Sequence, residues 1–309
     1  MASDRSKRNK LLFFRQSIDS ILARVAGKTV IVFDTETTGL SAKLPWVQIT
    51  EVAAIAFDMD TGRELGKFHK KVNLTPEALA EMAVQDRNIG PGDRGSLEGP
   101  AGLNIRDLLK MSRYGDNDAP RDDIVNVYQE FVAFINQYDR PVLLGQNAAF
   151  DMGHMFGPLK KLGIARPIHG EVIDTMVLGR VWIYPLLKAG EAMGDETSQQ
   201  MLAGFNGTDR EGKPRLAFSL VNLGRVFSVD AKHWHSGISD AMQTYGIFNA
   251  MLKFLQTAKE RGFDTSDVFR QYHISMSCRA FSYGKRPAFR STIKSDTDSG
   301  IKARGRPRR

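Results

Sequence analysis

At 309 residues, with 42% hydrophobic and 25% charged side chains, the chain can bury the core of one large domain and is neither disordered nor fibrous in composition. No apolar run approaches the ~18 residues that span a bilayer, and the basic N-terminus has too short an apolar stretch for a signal peptide. A single cysteine, Cys278, excludes an internal disulfide and a cysteine-cluster metal site; a cytoplasmic protein with no membrane partner is expected. The net charge of +8 is concentrated at the ends, with +3 over residues 1–10 and +7 over residues 285–309, so the body between them is slightly acidic. Basic tails on such a body suit a polyanion such as nucleic acid, and suit equally a pair of solubilising ends.

In chain order, Leu11, Phe14, Ile18, Ile21, Leu22 and Val25 fall at helical spacing up to Gly27, which predicts a helix docked on the core. Thr29–Phe33 (TVIVF) reads as a buried strand rich in β-branched residues. Residues 47–57 read as a second strand and 67–73 as a third, and Pro76 begins a short helix to about Ala83. Residues 86–122, rich in Gly, Asp, Arg and Pro, read as a long surface insertion. The periodicity of Ile124, Val127, Tyr128, Phe131, Phe134 and Ile135 predicts a strong amphipathic helix. Pro141 opens a buried strand (VLLG), and a helix carrying Met152, Met155, Phe156, Leu159 and Leu162 follows. Strand 171–174 leads into helix 175–184, and residues 186–216 read as a second irregular insertion. Helices near 218–227, 239–257 and 265–275 follow. This order predicts an α/β protein with a mixed sheet flanked by helices. The expected division is an N-terminal basic segment and helix (1–27), a core domain (28–260), a helical extension (261–284) and a basic, disordered tail (285–309).

The chemistry begins at Asp34-Thr35-Glu36, where the first strand ends. Strand side chains alternate, so Asp34 and Glu36 share a face, at the carboxyl end of a strand where open α/β sheets bind ligands. Their repulsion is relieved by a hard divalent cation such as Mg²⁺ or Mn²⁺; alternatively they are a pair of exposed strand-end acids. Asp151 starts a helix just after Val142–Asn147, where it is a metal ligand or an N-cap. In His235-Ser-Gly-Ile-Ser-Asp240 a five-residue step on an ideal helix leaves the side chains about 140° apart. His235 and Asp240 converge only if His235 lies on the loop before the helix, a break that Ser236 and Gly237 permit. Four carboxylates can hold two metal ions about 4 Å apart, which serves phosphodiester hydrolysis, and histidine titrates where a general base for water is needed.

Three segments, FDTETTGL (33–40), NAAFDMG (147–153) and H-x4-D (235–240), resemble in order the three motifs of the DnaQ-like, DEDDh-type 3′–5′ exonucleases. The resemblance covers roughly residues 28–257. Ser236 disfavours the subtype with Tyr at that position. The resemblance implies a ribonuclease H-like fold with a five-stranded mixed sheet, and Asp34, Glu36, Asp151, His235 and Asp240 as catalytic residues. Asp34, Glu36 and Asp240 would hold the metal that binds the attacking water, Asp34 would bridge to a second Mg²⁺ or Mn²⁺ supported by Asp151, and His235 would be the general base. Thr37, Thr38, Gly39 and Leu40 would meet the 3′-terminal nucleotide, and Asn147 and Phe150 would shape its pocket. The insertions at 86–122 and 186–216 exceed a compact member of the family and would set substrate or partner specificity.

The expected reaction is release of nucleoside 5′-monophosphates from DNA 3′ ends. The rivals are a 3′–5′ exoribonuclease of the same fold and a non-catalytic nucleic-acid-binding subunit of a replication or repair complex. A proofreading role would need a polymerase or replication partner that the sequence does not name. KARGRPRR at the C-terminus resembles an AT-hook core, so Arg304, Arg306, Arg308 and Arg309 are candidates for minor-groove or nonspecific phosphate contacts. Gly27-Lys28-Thr29 mimics the end of a P-loop, but Leu22 stands where that motif needs glycine. Asp174, before a helix, reads as a cap.

Overall fold

The computed structural model describes residues 18–39, 47–76, 78, 121–209, 212–230 and 236–262. Helix α1 (Ile18–Val25) leads into strands β1 (Thr29–Thr37), β2 (Ile49–Asp58) and β3 (Glu64–Val72), with a two-residue strand β4 (Arg121–Asp122) following in the chain. Then come α2 (Ile124–Asn136), β5 (Val142–Gly145), α3 (Ala148–Phe156) and β6 (Val172–Asp174). The sheet order is β4-β3-β2-β1-β5-β6. β2 runs antiparallel to β1 and β3, whereas β5 runs parallel to β1 and β6 parallel to β5. This is the expected mixed sheet of five principal strands, extended by β4 pairing parallel with the end of β3.

β1 is central because both of its faces are covered, which is why TVIVF is a continuous apolar run and not an alternating one. Alternation along β1 divides the interior into two cores. Val30 and Val32 join Ile55, Phe57, Val142 and Leu144 beneath α1 and the long helix α8 (Gly237–Glu260). Ile31 and Phe33 join Val52, Ala54, Ala56 and Leu143 beneath α2 and α3. The second core centres on Phe131, with ring centroids 5.5 Å from Phe68, 6.3 Å from Phe33 and 6.4 Å from Phe156. In the first, Phe57 stacks on Tyr245 of α8 at 3.7 Å.

The structure revises several boundaries. β1 continues through the acidic motif to Thr37, and β3 begins earlier than expected, at Glu64. The helix predicted over 175–184 is α4 (Thr175–Leu178), a π-helical turn (Gly179–Ile183) and then α5 (Tyr184–Ala192). The stretch 186–216 is ordered where irregular structure was expected: it contains the rest of α5, helix α6 (Glu196–Ala203) and a hairpin of β7 (Asn206–Thr208) and β8 (Pro214–Leu216). Its glycines and polar residues suggested loop, but Leu186, Leu187 and Phe205 are buried and anchor it. Helix α7 (Leu220–Phe227) and α8 complete the described chain. Pro76 and Ala78 are helical. The rest of that helix, the insertion up to residue 120, the predicted helix 265–275 and both basic tails lie outside the described residues. Among the described residues no helix is long and apolar enough to cross a membrane.

Truncating the centre of the second core tests this arrangement. Phe131→Ala is expected to destabilise the protein by about 3–5 kcal/mol, read as a lower midpoint in chemical denaturation.

Candidate active site

The carboxyl end of β1 brings together residues from both faces of the sheet. Asp34 and Glu36 point toward α8, whose first turn carries Asp240. One carboxylate oxygen from each of Asp34, Glu36 and Asp240 lies within 4.8 Å of the other two, a grouping able to hold a metal ion. α8 starts at Gly237 after Ser236 in an extended conformation, and the Asp240 N–H donates to the Ser236 carbonyl at 2.9 Å. The helix therefore begins at the break that the H-x4-D spacing requires; His235 itself lies outside the described residues. Asp240 in the first turn also lies where the helix dipole favours negative charge.

Asp151 reaches the same end of β1 from the opposite face. It sits in the first turn of α3, 3% exposed, and its Oδ1 accepts both the Thr35 N–H at 3.0 Å and the Thr35 hydroxyl at 2.6 Å. Thr35 points away from Asp34 and Glu36 by strand alternation, and thereby fixes the fourth acid. The preceding turn is set by Asn147, in the left-handed region at φ 59°. Its N–H donates to Asp174, which also accepts from Met176 N–H and Val177 N–H. Asp174 is thus the cap that the sequence suggests, and it braces the turn leading into Asp151. Asn147 and Phe150 are half-buried here.

The rest of the first motif is more internal. The register of β1 against β2 shifts between Glu36 and Thr37, a bulge of the kind that re-aims strand ends. Thr38 is 2% exposed; its N–H donates to the Gln48 carbonyl and its hydroxyl accepts the Gln48 N–H, both at 2.9 Å. The Thr37 hydroxyl donates to the Gly39 carbonyl. The Thr37 hydroxyl therefore holds Gly39 and the Thr38 hydroxyl holds Gln48, and Leu40 lies outside the described residues.

A fifth acid, Glu51, was not singled out from the sequence. It is 6% exposed and lies directly across from Glu36 in the β1–β2 register. The signal was a lone charge inside the apolar run Ile49–Phe57, on a strand buried on both faces.

Electrostatics follow from this crowding. Burial first, then the charges of Asp151, Glu36, Asp240 and Glu51, push the Asp34 carboxyl well above the usual carboxylate range. Burial, followed by Asp240, Glu51 and Asp151, raises Glu36 to about 7. Burial also raises Asp151 to about 7, against the opposing Thr35 hydrogen bonds and with a further push from Asp174. A cluster that resists ionisation at neutral pH is one that a bound divalent cation stabilises, and the all-oxygen donor set suits a hard ion.

The linkage has a definite sign. Glu36 and Asp151 titrate near 7 in the folded protein and near ~4 when unfolded, so the folded state holds extra protons between those limits. Their contribution to metal-free stability is therefore fully present below about pH 4 and is lost as pH rises through about 7. Calorimetry should show Mn²⁺ raising Tm more at pH 8 than at pH 5.5, where protons compete for the same oxygens. Thr35→Val, which removes one donor to Asp151, should weaken Mn²⁺ binding without unfolding the protein, as read by titration calorimetry.

No protein-family model matches the chain. In sequence it is similar to DNA polymerase III PolC-type of Bacillus subtilis (strain 168), 26% identical over 278 residues, covering 89% of this chain and 14% of that protein. The corresponding protein of Halalkalibacterium halodurans is 31% identical over 158 residues, covering 51% of this chain and 9% of its own length. The chain thus spans only a small part of the curated relatives it matches. Among solved structures, E. coli exonuclease I in complex with a dT13 oligonucleotide aligns with TM-score 0.42 and 16% identity, over 77% of this chain and 43% of that one. The chain is thus similar in sequence to one segment of the PolC-type DNA polymerases III.

Proposed function

We propose that this protein is a metal-dependent 3′–5′ exonuclease that acts on DNA. The observation that carries the reading is the convergence of Asp34, Glu36 and Asp240 within 4.8 Å, with Asp151 held beside them by Thr35. The relatives it matches bear the name DNA polymerase III, which favours DNA over RNA, and the basic ends of the chain suit a phosphate backbone.

Asp34, Glu36, Asp240 and Asp151 would hold two Mg²⁺ or Mn²⁺ ions. When bound, such ions act as Lewis acids that acidify water and neutralise charge on the leaving oxygen. His235, just before α8, takes the proton of the attacking water. Water oxygen adds to phosphorus as the bond from phosphorus to the 3′ oxygen breaks, and the departing 3′ oxygen takes a proton from solvent, giving a nucleoside 5′-monophosphate and a new 3′ hydroxyl. Asn147 and Phe150 form a wall of the terminal-nucleotide pocket. Thr37, Thr38, Gly39 and Leu40 would meet the 3′-terminal nucleotide from its other side. In a replication setting, a polymerase partner would supply the mispaired 3′ ends.

The test uses 3′- and 5′-labelled single-stranded DNA, duplex DNA and RNA, with and without Mg²⁺. Metal-dependent shortening from the 3′ end, absent in Asp34→Ala, is expected. Faster loss of RNA would make the protein an exoribonuclease, and no degradation of any substrate would make it a binding subunit. His235→Ala should lose about 10²- to 10⁴-fold in rate at pH 7 while its Mn²⁺ affinity holds. Lost affinity in that variant would make His235 a ligand instead.

A further inference from the structure

Glu51 has a position that the proposed chemistry does not use. Its side chain lies on the same face of the sheet as Asp34 and Glu36, because Glu36 and Glu51 are cross-strand partners. Glu51 Oε1 accepts the Gly237 N–H at 2.9 Å in a buried contact that spans 186 positions of sequence. The same oxygen lies 2.9 Å from His69 Nε2 on β3. Gly237 is the first residue of α8, and Ser236 makes no side-chain capping bond to that helix. One of the N–H groups that every helix leaves unpaired at its start is therefore satisfied by a carboxylate from the central sheet. The approach is close enough to need glycine: a Cβ at position 237 would meet Ala53 Cβ at 2.9 Å and Glu51 Oε1 at 3.1 Å.

We infer that Glu51 is a positioning residue that pins the start of α8 to β2 and so fixes Asp240 against Asp34 and Glu36. Asp240 lies three residues beyond the pinned amide, so one hydrogen bond sets its register. His69 Nε2 meets the same carboxylate oxygen from β3, so the Gly237 contact is backed by a second partner within the sheet. Displacement of a reacting group by about 1 Å can cost about 100-fold in rate, and the anchor acts at that scale. The inference rests on the exonuclease reading for its effect on rate, but not for its effect on the helix.

Glu51→Ala, Glu51→Gln and Gly237→Ala separate the alternatives. Glutamine keeps an oxygen that can accept the Gly237 N–H, so Glu51→Gln should stay within about threefold of the wild-type kcat. Glu51→Ala should lose about 100-fold with KM for the oligonucleotide nearly unchanged. Gly237→Ala deletes no functional group and should reproduce the loss of Glu51→Ala. Hydrogen exchange in saturating Mn²⁺ should show the peptide over residues 236–241 deprotected in Glu51→Ala and protected in Glu51→Gln. A glutamine variant as slow as the alanine variant would overturn the inference, because the charge and not the anchor would then matter. Unchanged exchange and kcat in Glu51→Ala would overturn it as well. A wild-type protein inactive on every substrate would refute the exonuclease reading alone, since exchange would still decide whether Glu51 holds the helix.

Discussion

The structure is organised around an electrostatic conflict. Asp34, Glu36 and Asp240 are gathered within 4.8 Å, and Asp151 and Glu51 add their charges to the same neighbourhood. Burial raises the proton affinity of these acids, and like charges this close compound the effect. A fold does not assemble such a cluster unless packing elsewhere compensates for it. Each element bordering the site can be understood as part of that compensation: the start of α8 beneath Asp240, the Thr35 hydrogen bonds to Asp151, and the peptide groups that occupy Glu51 and Asp174.

The acids divide by how they are held. Asp151, Asp174 and Glu51 each accept hydrogen bonds from backbone N–H groups, so at least one oxygen of each has a fixed partner. Asp34, Glu36 and Asp240 are grouped as candidate ligands. Asp151 lies between the two groups, since it is braced by Thr35 and stands beside the candidate ligands. Gln48 completes the frame at the strand ends: besides its backbone contacts to Thr38, its side chain donates to the Asn73 carbonyl and accepts the Thr75 N–H. One residue thus ties the end of β1 to the segment that leaves β3.

Much of this was legible in the sequence because it depends on local periodicity. The apolar run at Thr29–Phe33, the alternation that pairs Asp34 with Glu36, and the helical spacing from Ile124 to Ile135 each name an element directly. The start of a helix just before Asp240 was the condition for His235 and Asp240 to converge, and α8 does start at Gly237. What escaped depended on contacts distant in sequence. Glu51 is one charge in an apolar strand, and only the register against β1 puts it opposite Glu36. The stretch 186–216 has the composition of a loop, and its order comes from a few buried anchors such as Leu187 and Phe205. Asp151 was ambiguous between ligand and cap, and its Thr35 partner lies 116 positions away.

The alternation of β1 has a consequence for how such a site changes over evolutionary time. Asp34, Glu36, Glu51 and Asp240 are backed by the core under α8, whereas Asp151 and Thr35 are backed by the core around Phe131. The two hydrophobic compartments lie on opposite faces of the sheet. Substitutions that repack one of them can drift and be compensated within that compartment, leaving the carboxylates of the other undisturbed. The site is a seam between two separately packed halves, to both of which β1, β2 and β5 contribute.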